Sequence, residues 1–273
     1  MVTPKNVDDQ RPAHRRIKSI EVGFRILRVL EQAHGKLPLR DIAASAGMPA
    51  SNAHLYLASF IHEGMAEQDP VTGHYGLGPL AVQLGASALK QSSLIELAND
   101  LLISLREATR DSVFLSIWGS RGPTIVFKID GDACGPMGIR VGHVLPLLST
   151  ATGRVFLSYV PESRTKALVA HERQASRSLA GGFDERVRDL VVPEIVASVR
   201  GTRFARTDAK MSGGFPASAA PVFDQSGRLA TVITILGPNV GATDPSDEGG
   251  VDAKLLHSAR ELSGRLGGSD YWD

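Results

Sequence analysis

Two stretches of this 273-residue sequence hold side chains whose types and spacing could do chemistry. In the first, Pro49-Ala-Ser-Asn-Ala-His-Leu55, Ala50, Ser51, Asn52, His54 and Leu55 fall on the outer side of a helix that Pro49 opens. Ser and Asn can bond the edges of bases and an apolar group can meet a thymine methyl, so such a face suits the DNA major groove. In the second, Leu145 to Gly153 (LPLLSTATG), the hydroxyls of Ser149, Thr150 and Thr152 cluster at another helix start. Free backbone N–H groups and the helix dipole favour an anion there. Two readings stay open: a bound carboxylate, or a plain N-cap with Gly153 allowing close helix packing. The glycine-rich Ser212-Gly-Gly-Phe215, a loop entering a strand, has the setting of a binding-site rim. Catalytic signatures are missing: there is no G-x-S-x-G, H-E-x-x-H, P-loop, C-x-x-C or strand-borne G-x-G-x-x-G. Eight histidines, His143 and His171 among them, are scattered, and Asp208 with Lys210 reads as a loop ion pair. Cys134 is the single cysteine, which excludes an intrachain disulfide and a cysteine-based metal site. The expectation is a protein that is not an enzyme and carries no cofactor and no metal.

The elements that must position the first stretch are two short helices joined by a tight turn. Leu39, Ile42, Ala43 and Ala46 recur at helical spacing, and Gly47 interrupts them where a turn residue of positive φ is wanted. The apolar face resumes at Met48, Ala53, Tyr56 and Leu57. A helix-turn-helix is the leading reading and an ordinary helical hairpin the alternative. Before it, Ser19 is placed to cap a helix with Ile20, Phe24, Leu27 and Leu30 as its core stripe, ending near His34-Gly35. After it, Met65–Gln68 and His74–Leu77 flank DPVTG, a β-hairpin or wing with His74 as its notable polar tip residue.

Charge must act locally, since the whole chain carries a net charge of only +1. Residues 1–30 hold seven Lys or Arg against three acidic residues, a net +4 that places Arg15, Arg16 and Lys18 near any DNA phosphates. Beyond the wing, Pro79 to Lys90 reads as a linker helix that buries Leu80, Leu84 and Ala88. Ser93-Leu-Ile-Glu96 has capping-box spacing and opens a helix with Leu94, Leu97, Leu101 and Leu105. Strand character follows at Val113–Trp118, Thr124–Ile129, Ile139–Val141, Val144–Leu147, Phe204, Ser218–Phe223 and Leu229–Leu236, with helices between and a closing helix over Asp252–Leu266. Strand pairs joined by tight turns argue for an antiparallel sheet with packed helices, an α+β fold. The polar N-terminus lacks an apolar targeting core and no run is long enough to cross a bilayer, so the expectation is a cytoplasmic protein with no membrane partner.

Taken together, MPASNAHLYLASFIHEGM, DPVTGHYGLGP, VGHVLPLLSTATGR and APVFDQSGRLATVITILGP, in that order, resemble the isocitrate lyase regulator (IclR) family of bacterial transcription regulators over residues 17–266. The resemblance implies a basic arm at 1–15, a winged helix-turn-helix at 16–78, a linker helix at 79–92 and a GAF-like effector-binding domain at 93–268. It implies operator DNA, a small organic or aromatic acid and a second copy of the chain as partners, in a homodimer or homotetramer. DNA contacts would come from Arg15, Arg16, Lys18, Arg40, Pro49, Ala50, Ser51, Asn52, His54, Leu55 and His74. The effector would be lined by residues near Met137, Leu145, Ala151, Thr152, Asp208, Ala217, Thr234 and Leu236. The sequence departs from the family at Ala50 and Leu55, where cations are frequent, and at Ala217 and Leu236, which make the pocket more apolar. The alternative is a ligand-binding protein whose helix-turn-helix serves mainly dimerisation.

Overall fold

The computed structural model describes residues 17–33, 35–91, 93–133, 139–178, 186–209, 214–242 and 249–272. Arg15, Arg16, Cys134, Met137, Lys210 and the Ser212-Gly213 part of the glycine-rich loop lie outside them. The chain divides into two compact units, residues 1–92 and 93–273.

The first unit packs helices α1 (Lys18–Gln32), α2 (Leu39–Ser45) and α3 (Ala50–His62) against a hairpin of β1 (Ala66–Gln68) and β2 (Tyr75–Leu77). Its core is Ile26, Leu30, Ile42, Ala43, Ala46, Ala53, Leu57, Ala66 and Tyr75. Gly47 makes the α2–α3 turn at φ +63, a conformation that costs a residue with a Cβ but not glycine. The α1–α3 crossing is tight at Gly23, where an added Cβ would lie 2.9 Å from the Phe60 ring. Helix α1 is rotated from the expected stripe: Gly23, Ile26, Leu27 and Leu30 face inward, while Ile20 is 53% and Phe24 49% exposed. It also begins one residue before Ser19, with Ile17 at the N-cap and no side-chain cap. Helix α4 (Pro79–Gln91) follows, held at its start by Leu80 N–H donating to the Gly64 carbonyl. Its expected burial is not met within the described residues: Leu80 is half-buried, but Val82, Leu84 and Ala88 are exposed.

The second unit is a five-stranded antiparallel sheet in the order β4-β3-β7-β6-β5, with β3 (Ser112–Gly119), β4 (Gly122–Ile129), β5 (Ala205–Thr207), β6 (Ala217–Phe223) and β7 (Leu229–Leu236). Because side chains alternate across a strand, Phe114, Val232, Thr234, Leu236, Ala217 and Ala219 share one face. That face packs on α6 (Ala151–Tyr159) and α9 (Val192–Thr202). Leu115, Ile233, Ile235 and Val222 occupy the other, beneath α5 (Leu94–Thr109) and α10 (Val251–Arg265). Helices α7 (Glu162–Ser178) and α8 (Arg186–Asp189) complete the set.

Two local expectations fail here. The capping box at the start of α5 does not form, because Ser93 sits at φ +45 rather than in the extended conformation such a cap requires, and makes no cap hydrogen bond. The strands expected over 139–141 and 144–147 are reduced to one isolated bridge, Thr124 to Val144. That segment follows β4 through Gly142 N–H to Ile125 O and Leu145 N–H to Pro123 O without building a ladder.

Candidate nucleic-acid interface and effector cavity

Helix α3 presents the face that the first stretch anticipates. Ala53 and Leu57 turn into the core, so Ala50, Ser51, Asn52, His54 and Leu55 are all exposed, Leu55 at 67%. Ala58 and Ser59 continue the same face, and Ser59 folds its hydroxyl back to the Leu55 carbonyl at 3.0 Å. No Lys, Arg, Asp or Glu stands between Ala50 and His62. Cations come from beside the helix instead. Lys18 and Arg25 of α1 line a groove of about 480 Å³ with Gly47, Pro49 and Asn52, next to the start of α3, which has Pro49 at its N-cap and no side-chain cap. Arg40 on α2 extends its side chain into solvent, 91% exposed, against Asp41 at 3.3 Å.

The wing corrects one expectation. His74 is half-buried at the foot of the turn, where its carbonyl accepts from Asp69 N–H, and the tip is Val71, 92% exposed. Asp69 accepts from the N–H groups of Val71 and Thr72, each at 2.9 Å. Those two donors, Thr72 foremost, hold its carboxyl down at about 2. Lys36 pairs with Glu67 at 2.9 Å and reaches Asp69 at 3.5 Å, so the wing's nearest cation is engaged with its own acids.

In the second unit the cluster at the start of α6 resolves as a cap filled from within the protein. Thr150 accepts from Gly153 N–H at 2.9 Å. The carboxylate of Glu172, on α7, accepts from the N–H groups of Leu147, Leu148 and Ser149 and from the Ser149 hydroxyl, all within 2.9–3.2 Å. The anion that this helix start favours is therefore Glu172 itself. Thr152 instead shares a 2.7 Å hydrogen bond with Thr234 across the α6–sheet interface. Gly153 is obligatory, since a Cβ there would overlap the Pro146 carbonyl. Arg154, one residue on, donates to the carbonyls of Leu148 at 2.9 Å and Arg206 at 3.3 Å. Burial lowers its affinity for the proton, and the charges of Asp208 and Glu172 oppose that loss.

The residues expected at the effector thus separate into groups. Ala151, Thr152, Ala217, Thr234 and Leu236 are buried together where α6 meets the sheet, whereas Asp208 is exposed on the Arg154 side. Leu145 belongs to that core and also lines an apolar cavity of about 340 Å³ with Pro123, Val144, Leu147 and Leu168. Arg121 and His171 stand among the residues lining it. Glu172 and Leu168 carry no motif that flags them in the sequence, and their place in the site follows from contacts with residues more than twenty positions away. Only the Gly153-Arg154 pair closing the hydroxyl cluster offers a signal.

Comparison with known proteins adds to this geometry. Residues 19–70 match the IclR helix-turn-helix domain and residues 86–264 the bacterial transcriptional regulator IclR C-terminal domain. The chain belongs to the IclR family. Its members include the transcriptional repressor IclR of Escherichia coli, to which this chain is 24% identical over 260 residues, covering 94% of this chain and 93% of the repressor. The crystal structure of HmgR from Pseudomonas aeruginosa is 33% identical with a TM-score of 0.69, covering 92% of this chain and 100% of that one. An IclR homologue from Microbacterium hydrocarbonoxydans, crystallised with 4-hydroxybenzoate, shares the fold at a TM-score of 0.72 and 15% identity, covering 90% and 98% of the two chains. As an IclR-family transcriptional regulator, this chain combines a DNA-binding helix-turn-helix unit with a sheet unit of the family's C-terminal type. No helix among the described residues is long and apolar enough to cross a membrane.

Proposed function

We propose that this protein senses a small organic or aromatic acid, one that marks a catabolic pathway, and adjusts its grip on an operator accordingly. The observation that carries this reading is the pairing, in one chain, of an outward recognition face on α3 with a second unit holding an apolar cavity. Leu145 supports the choice of ligand site, because it is shared by the cavity and by the buried set around Thr152 and Thr234. Walls of Leu, Val and Pro suit a hydrophobic or aromatic body. On DNA, α3 reads bases while Lys18, Arg25 and Arg40 meet phosphates. Ile17, Ile20 and Phe24 of α1, with Val82 and Leu84 of α4, form exposed apolar stripes that support self-association, which would double the reading head on a palindromic site. The acid acts by binding two states of the protein unequally, and the ratio of those affinities sets how far operator binding can shift.

A second reading is favoured by the neutral face of α3: the helix-turn-helix serves dimerisation, and the ligand unit carries the function. Fluorescence anisotropy decides between them. The protein is titrated onto the DNA upstream of its own gene and onto an unrelated duplex, at two salt concentrations, with and without benzoate or 4-hydroxybenzoate. Preference for the first duplex with a steep salt slope supports the regulator, since each phosphate contact releases counterions. Weak binding to both duplexes removes it. Equal operator affinity with every acid of a wider panel, at concentrations where calorimetry shows binding, removes the sensing mechanism.

A further inference from the structure

The exposed face of α3 has an apolar centre, and this sets what kind of base it can read. With Ala53 and Leu57 fixing the inward direction, Leu55, two residues and so about 200° around the helix from each, projects at the opposite pole, between Ser51 one turn before it and Ser59 one turn after. It is 67% exposed, Ala58 lies beside it, and no charged group shares the face. The hydroxyl of Ser59 is already committed to the Leu55 carbonyl, which leaves the centre of the face without a free donor of its own. A leucine exposed at this place contributes nothing to the core of its unit. A side chain of this kind in the major groove has one specific apolar partner, the C5 methyl of thymine.

We propose that Leu55 is a specificity-determining residue that packs on a thymine methyl at the centre of each operator half-site, with Ser51 and Asn52 bonding the flanking base edges. This rests on the reading of α3 as the DNA-reading helix. It narrows that reading from hydrogen-bonded recognition to methyl recognition, and predicts that a thymine, not a guanine, faces position 55.

The test uses the full-length protein and a duplex that it selects from a random pool. Each thymine of the selected site is replaced in turn by uracil, which keeps the base pair and removes only the methyl. Wild-type protein loses about three- to fivefold in affinity for uracil at one thymine of each half-site, the scale of one lost methyl contact. Leu55→Ala binds the thymine duplex more weakly and shows no further loss with uracil, while its salt slope is unchanged. Leu55→Gln, selected afresh, exchanges that thymine for adenine, the base a glutamine can bond with two hydrogen bonds. Circular dichroism and sedimentation of both variants match the wild type. Uracil at every position binding as tightly as thymine overturns the inference and leaves the regulator standing. So does a uracil penalty that persists undiminished in Leu55→Ala. A change of oligomeric state in Leu55→Ala overturns it too, because Leu55 then belongs to a contact between copies. Failure of the wild type to select any duplex removes the DNA-reading role and the inference with it.

Discussion

Helices α3 and α6 both begin with a residue in extended conformation followed by small and hydroxyl side chains, yet one start is open and the other is filled. At α6, Thr150 caps Gly153 and Glu172 takes the three N–H groups that lead into the helix. At α3, Pro49 offers no side-chain acceptor, and the neighbouring groove holds Lys18 and Arg25. The start of α6 is thus occupied by a carboxylate of the protein itself, while the start of α3 has no side-chain acceptor and two cations beside it. Helix starts of similar composition can therefore serve opposite purposes, and what separates them is whether another element delivers a carboxylate.

Removing that carboxylate is the strongest way to break the contrast. Glu172→Ala leaves three backbone N–H groups and a hydroxyl without their acceptor and lowers stability by roughly 2–4 kcal/mol, read from the midpoint of urea unfolding. Glu172→Gln, which keeps one acceptor oxygen, recovers part of the loss. A loss below about 0.5 kcal/mol, the range of ordinary surface substitutions, would show that water replaces the carboxylate freely and that the two helix starts are alike.

The cap itself gives a finer comparison. Thr150→Ala costs about 1 kcal/mol, the usual value of an N-cap side chain. Pro49→Ala stays within about 0.5 kcal/mol, because no cap hydrogen bond is lost. Equal losses at the two positions would erase the distinction.

The smallest effect concerns the wing, a third place where backbone N–H groups meet an internal carboxylate. Asp69 titrates at about 2 in the folded protein against an ordinary 3.8, so its turn-holding contribution is complete above about 3.8 and is lost as pH falls through about 2. The amide resonances of Val71 and Thr72 should shift together with the Asp69 carboxyl in that acid range. Movement centred near 3.8 would show a turn that Asp69 does not hold.

The sequence made α3 legible because its inward and outward sides differ in kind over a 3.6-residue period, with Ala53 and Leu57 against Ser51 and His54. The same rule misplaced α1. Ile20 and Phe24 are apolar but exposed, and a hydrophobic stripe looks the same whether its own unit or another surface is to cover it. The antiparallel sheet followed from strand pairs joined by short turns, yet residues 139–147 show that β-branched content with a few hydrogen bonds to β4 and one bridge does not make a strand. Glu172 was illegible for a topological reason: it lies 23–25 residues from the N–H groups it holds, and its own helix gives no hint of what it faces.

The Glu172 clamp also keeps time. The amide protons of Leu147, Leu148 and Ser149 point at a carboxylate rather than at water, and they can trade with solvent deuterium only when α7 and the loop part. Their exchange rate counts those partings. Leu147 and Glu172 also wall the apolar cavity, so the contacts that hold the loop to α7 are the same contacts that give the cavity its shape.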